Sequence, residues 1–136
     1  MNNAACVFPG AGPEVIFAGS SNRVEVWDRV ESRRTDVFER EPSPPRGQPG
    51  SAATAQAALA LSADGAQVAR ATPRISIWNV PDRRWRVSLP PERSRVFSLA
   101  WTPDGRLLAV GSADGSLVLW DLPVVRRELA EIGLAW

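Results

Sequence analysis

Three short runs along the chain share one pattern. "RVEVW" (23–27), "RISIW" (74–78) and "SLVLW" (116–120) are rich in apolar and β-branched residues, and each closes on a Trp. The next residue is Asp28, Asn79 or Asp121. Such runs of four to eight residues, bounded by turn formers, read as β-strands. A second signature precedes them. "LALSADGAQVAR" (59–70) matches "LAWTPDGRLLAV" (99–110) at a spacing of forty, and "VFPGAGPEVIFAG" (7–19) is a looser copy with extra turn residues. The chain is a repeated unit written three times.

The turns explain the spacing. Asp-Gly accepts the positive φ angles of a tight hairpin turn at little steric cost. The pairs Asp64-Gly65, Asp104-Gly105 and Asp114-Gly115 therefore mark strand reversals. The last two bracket the strand "RLLAVGSA", with Val96–Trp101 before it and Ser116–Trp120 after it. That middle strand is apolar at consecutive positions, Leu107 and Ala109 on one face and Leu108 and Val110 on the other. A strand with one wet face alternates apolar with polar residues, so this one is expected to be buried on both faces, between stacked sheets. "SRRTDVF" (32–38) and "RRWRVSL" (83–89) are more polar and suit outer strands.

Trp78 and Trp120 are 42 residues apart, within the period of a four-stranded repeat unit. Trp27 and Trp78 are 51 apart, and "EPSPPRGQPGSAATAQ" (41–56), with four Pro, two Gly and two Ser, accounts for the excess as a flexible insertion. The organisation expected is a first, partial unit over 1–40, an insertion over 41–57, and a second unit over 58–90. A third unit without its outer strand covers 91–122, and a tail covers 123–136. In the tail, Leu122, Val125, Leu129 and Ile132 recur at helical spacing. Pro123 suits the first turn of that helix and Gly133 its end.

With Trp27-Asp28, Trp78-Asn79 and Trp120-Asp121 in phase with "SADG" (62–65), "TPDG" (102–105) and "SADG" (112–115), the chain resembles the WD-repeat β-propellers. The resemblance implies an all-β fold, a partial β-propeller of about three antiparallel blades with a short C-terminal helix. It also implies a non-catalytic role in protein–protein interaction. In that family a Gly-His pair before the first strand often bonds to the turn Asp, a Ser or Thr, and the Trp. Here Pro91-Glu92 stands in that place, so only part of the network is expected, through Ser112, Asp114 and Trp120. Propellers have four to eight blades. Three blades imply the C-terminal part of a larger propeller, self-association through open blade faces, or an irregular small β domain. The tail also resembles the end of WD-repeat regions in large bacterial proteins, which implies as an alternative a regulatory or sensory appendage of a signalling enzyme such as a serine/threonine kinase.

Composition narrows the chemistry. The net charge is +1 and the chain has no His. This removes Ser-His-Asp and Cys-His catalysis and the usual nitrogen metal ligands. No large field is available for nucleic acid or an anionic membrane, so the expected partner is protein. The Asp-Gly pairs lack the alternating oxygen ligands and closing Glu of a calcium loop, and no cofactor is expected. Cys6, without a partner for a disulfide, reads as a small buried residue. The start "MNNAACVFPG" lacks a basic region and an apolar core, and no run is long enough to span a bilayer, so a cytoplasmic location is expected. Among surface residues, Trp85 between Arg84 and Arg86 is the candidate partner contact, since Trp and Arg are enriched at binding hot spots. Its rival reading is a Trp packed inward from an outer strand.

Overall fold

A computed structural model describes residues 7–9, 14–18, 24–40, 58–72, 74–90, 94 and 96–134. Cys6, Pro91-Glu92 and the insertion at 41–57 lie outside the described residues. Among the described residues, eleven strands and one helix follow in order: β1 (Val7–Pro9), β2 (Glu14–Ala18), β3 (Val24–Asp28), β4 (Arg33–Val37), β5 (Ala58–Leu61), β6 (Gln67–Thr72), β7 (Arg74–Asn79), β8 (Arg84–Ser88), β9 (Val96–Trp101), β10 (Leu107–Ser112), β11 (Leu117–Asp121) and α1 (Leu122–Glu131). They form three antiparallel meanders, β1-β2-β3-β4, β5-β6-β7-β8 and β9-β10-β11. Among the described residues the third sheet has three strands. The first has four, its three-residue β1 pairing with β2 in the register Phe8↔Ile16.

The Asp-Gly turns close as their chemistry dictates. Gly65 and Gly105 both have φ +71° and Gly115 has φ +84°, the left-handed region where a Cβ is penalised. The outer strands β4 and β8 fall within the two polar stretches expected for them, and each is offset from its neighbour by a bulge before the Trp, at Val26/Trp27 and at Ile77/Trp78. A bulge bends the strand and increases its twist.

The sheets stack face to face, with β1 beside β5 and β5 beside β9. Between the first and second sheets lie Val24, Val26 and Phe38 on one side and Leu59, Val68 and Trp78 on the other. Between the second and third lie Ala58, Ala60, Ala69, Ala71, Ile75, Ile77 and Val87, facing Val96, Leu99, Leu108 and Val110. The second sheet is therefore dry on both faces, and consecutive residues of β7 from Ile75 to Trp78 are all buried.

The third sheet departs from expectation. Leu108 and Val110 are buried, but Leu107 and Ala109, on the opposite face of β10, are only half-buried. Among the described residues one sheet covers β10, on the face of Leu108 and Val110.

β11 runs into α1 without a loop. Asp121 ends the strand and caps the helix, its carboxylate accepting from the Val124 N–H at 3.2 Å. The helix thus starts at Leu122, one residue before the expected tail. Leu122 is buried, and Val125 and Leu129 pack on the core between the second and third sheets. Ile132, the last member of the helical stripe, is exposed. Gly133, at φ +82°, ends the helix: its N–H donates to the Ala130 carbonyl and that of Leu134 to the Leu129 carbonyl. Replacing Asp121 by Ala is expected to cost about 1 kcal/mol, read as a lower urea midpoint at unchanged slope. An unchanged midpoint would mean that α1 adds nothing to the stability of the stack.

Candidate functional site

In the second and third sheets the turns after the first and third strands emerge at the same end. The Val80 N–H donates to the Ala66 carbonyl, which ties turn 80–83 to turn 62–66, and the Leu122 N–H donates to the Arg106 carbonyl, which ties the start of α1 to turn 102–106. Trp101 Nε1 donates across to the Ala60 carbonyl at 3.1 Å, holding the end of β9 beside the end of β5. One rim therefore collects three turns and a helix start.

Each Asp-Gly turn on this rim is braced by a hydroxyl and a carboxylate. Ser62 Oγ donates to Asp64 at 2.6 Å, the Ala66 N–H donates to the same oxygen, and the Gln67 N–H donates back to Ser62 Oγ. Thr102, Asp104, Arg106 and Leu107 repeat this set, with 2.6 Å from Thr102 Oγ1 to Asp104 and 3.0 Å from the Leu107 N–H to Thr102 Oγ1. Asp114-Gly115 lies at the opposite end of its sheet. Here the expected link from Ser112 to Asp114 is absent. Asp114 accepts from both the N–H and the Oγ of Ser116, two residues on, which its short side chain reaches within its own turn. Ser112 Oγ is buried without a hydrogen-bond partner among the described residues.

These bonds favour the ionised acids. Hydrogen bonds from Ser62 and then the Ala66 N–H hold Asp64 below its ordinary 3.8, against a smaller opposing effect of burial. Asp104 is lowered by Thr102 and then the Arg106 N–H, and Asp114 by the Ser116 hydroxyl and then its N–H. Asp82 is lowered first by the Arg84 N–H, with smaller help from Asn79, Arg86 and Arg84. A depressed folded-state value means that the folded form binds fewer protons than the unfolded form in acid. The stabilisation is full above the ordinary carboxylate range and is lost as pH falls through the lowered values. A variant with Asp64, Asp104 and Asp114 all changed to Asn is expected to show a shallower loss of urea stability below pH 4 than wild type. Parallel curves would mean that these bonds are equally strong to the neutral acid.

The residue after each repeat Trp starts the next turn. Asp28 accepts from the N–H groups of Val30 and Glu31, Asn79 donates to Asp82, and Asp121 caps α1. The Trp residues differ in burial. Trp78 is buried between the first two sheets, Trp120 is half-buried against the other core, and Trp27 is half-buried with its Nε1 on Glu25 at 2.9 Å.

Trp85, Arg84 and Arg86 part company. Trp85 packs on the core between the first two sheets, its Nε1 on Ser88 and its backbone N–H on the Glu39 carboxylate. Arg86 pairs with Asp82 at 2.6 Å. Arg84 is exposed on the rim. Nothing in the sequence marks the residues that stitch this seam. The Glu39 carbonyl accepts from Trp78 Nε1 at 2.8 Å, and the Glu39 N–H donates to the Arg83 carbonyl. Arg83, at φ +60°, bonds to Val80 and Asp36 and lies over the Phe38 ring at 5.3 Å. The left-handed conformation costs a non-Gly residue roughly 1–2 kcal/mol, offset here by its contacts.

Among the described residues no group of three or more His, Cys, Asp or Glu could hold a metal, and no helix is long and apolar enough to cross a membrane. The family model for the WD domain, G-beta repeat matches residues 81–121. A stretch of 37 residues, 27% of the chain, is 51% identical to COMPASS component SWD1 of Saccharomyces cerevisiae and covers 9% of that protein. A stretch of 48 residues, 35% of the chain, is 38% identical to small ribosomal subunit protein RACK1y of Oryza sativa subsp. japonica and covers 14% of it. The chain thus matches only a small part of the length of either relative.

Proposed function

We propose, on the premise that this chain is a WD-repeat protein, that it is a non-catalytic scaffold whose rim of turns binds another protein. The observation that carries this reading is the repeated bracing of turns 62–66 and 102–106, by the same hydroxyl–carboxylate set, on one rim. Turns fixed by side-chain hydrogen bonds present their tips with little entropy left to lose on binding. The backbone is constant from turn to turn while the exposed residues differ: Ala63 and Asp64, Pro81, Asp82 and Arg84, then Pro103, Asp104 and Arg106. Specificity resides in such loops on a rigid support. The two relatives are named as a component of COMPASS and a protein of the small ribosomal subunit, both members of assemblies, which supports a role in binding protein.

The test is quantitative affinity capture with the tagged full chain from its own cells, comparing wild type with Arg84→Glu and Arg106→Glu. A protein held in stoichiometric amount by wild type and lost from both variants is the expected result. Identical capture profiles for all three would move the binding surface away from this rim.

A further inference from the structure

The repeats assign equivalent positions in the three sheets. Val24 and Val26 of β3 correspond to Ile75 and Ile77 of β7 and to Leu117 and Leu119 of β11, each pair being the third and first residues before the repeat Trp. Val24 and Val26 are 1% and 0% exposed against the second sheet, and Ile75 and Ile77 are both 0% exposed against the third. Leu117 and Leu119 are 70% and 57% exposed. The two rows that hold them are uncharged: Ala100, Ala109 and Leu119 lie across one, and Ser98, Gly111 and Leu117 across the next, while Asp121, opposite Leu107 in the adjoining row, is engaged in capping α1. Phe97, at the β9 bulge, is 64% exposed beside it. This is a sheet face built to be covered by another sheet.

The complementary half of such a contact is at the other end of the same stack. In the first seam, Val24 and Val26 pack against the face of the second sheet that carries Trp78. The equivalent Trp of the first sheet is Trp27, on the face of β3 turned away from Val24 and Val26. The acid on that face, Glu25, accepts a hydrogen bond from Trp27 Nε1 at 2.9 Å and is paired with the Arg34 guanidinium at 3.5 Å, so apolar Leu117 and Leu119 would not meet an uncompensated carboxylate there. We propose that the open face of the third sheet docks on the Trp27 face of the first sheet of a second copy, and that two copies close a six-sheet ring. A head-to-tail contact made twice about a two-fold axis closes on itself and leaves no open face. Six sheets lie within the four to eight that such rings contain. The inference goes beyond the scaffold reading, because the rim turns sit at strand ends rather than on sheet faces; a single-copy chain would leave that reading standing.

Light scattering coupled to size exclusion on the 136-residue chain is expected to give twice the chain mass of 14.8 kDa. Leu119→Glu and Trp27→Glu should each bring the mass down to one chain with the strand signal in far-ultraviolet circular dichroism retained, and mixing the two variants should restore a two-chain species through the one intact contact. Disulfide trapping gives a second readout that tolerates no unfolded variant. In a Cys6→Ser background, a Leu119→Cys chain mixed with a Glu25→Cys chain should cross-link to each other. A single-chain wild type overturns the proposal and points to a further sheet in a longer polypeptide. So does an open ladder of oligomers. A Trp27→Glu chain that stays paired, or cross-linking of Leu119→Cys only to itself, also overturns it, in favour of two third sheets packed face to face.

Discussion

Trp78→Ala is expected to lower the unfolding free energy by about 3–5 kcal/mol, the range for deleting a large buried aromatic. The indole is 1% exposed and fills the seam between the first and second sheets, among Val24, Val26, Phe38, Leu59 and Val68. Its removal leaves a cavity that rigid strands on both sides collapse into poorly. It also deprives the Glu39 carbonyl of its 2.8 Å donor, at the point where β4 of one sheet meets the Arg83 turn of the next. Domains of this size hold roughly 5–15 kcal/mol in total, so a large share of the stability goes with one side chain. Urea unfolding followed by Trp fluorescence and far-ultraviolet circular dichroism measures it. A loss below about 1 kcal/mol would mean that the two sheets do not pack as described.

Leu108→Ala is expected to cost about 2–5 kcal/mol by the same reasoning at the other seam. Leu108 is fully buried, pairs with Trp101 and Trp120 on its flanking strands, and faces the small side chains of the second sheet. Because Ala58, Ala60, Ala69 and Ala71 bring that sheet close, little side-chain volume is available nearby to fill the gap. Differential scanning calorimetry gives the shift directly. A midpoint unchanged from wild type would mean that the third sheet contributes nothing to the cooperative unit.

Much of this fold is legible from local chemistry. Asp-Gly at 64–65, 104–105 and 114–115 demands a reversal with positive φ, and runs such as "RISIW" between reversals have little choice but to be strands. The helix after Trp120 is visible in the spacing of Leu122, Val125 and Leu129. What the residues hide is non-local. Glu39 and Arg83 are separated by 44 residues of chain, and neither carries a motif, yet they join two sheets through their backbone groups. Asp114 has a hydroxyl two residues away on either side, Ser112 and Ser116, and sequence distance does not choose between them; the carboxylate takes Ser116. The apolar residues on both faces of β10 state that a cover is required without saying which molecule supplies it. Trp85 could be placed on an outer strand by its neighbours, but the inward side of that strand depends on the bulge at Ile77/Trp78, which no residue there announces.

The dryness of the second sheet on both faces has a mechanical consequence. The three sheets form a linear array in which the middle one holds both internal interfaces, and stability in such arrays is close to a sum of unit terms and nearest-neighbour terms. An outer sheet can detach at the expense of one interface, whereas the middle sheet opens only when both are broken. In a single unpaired chain, such as Leu119→Glu, backbone amides of β6 and β7 should then be the slowest to exchange with solvent, and those of the third sheet, whose outer face is open to water, among the fastest. An unpaired stack frays from its ends, and its most durable part is the one farthest from any partner.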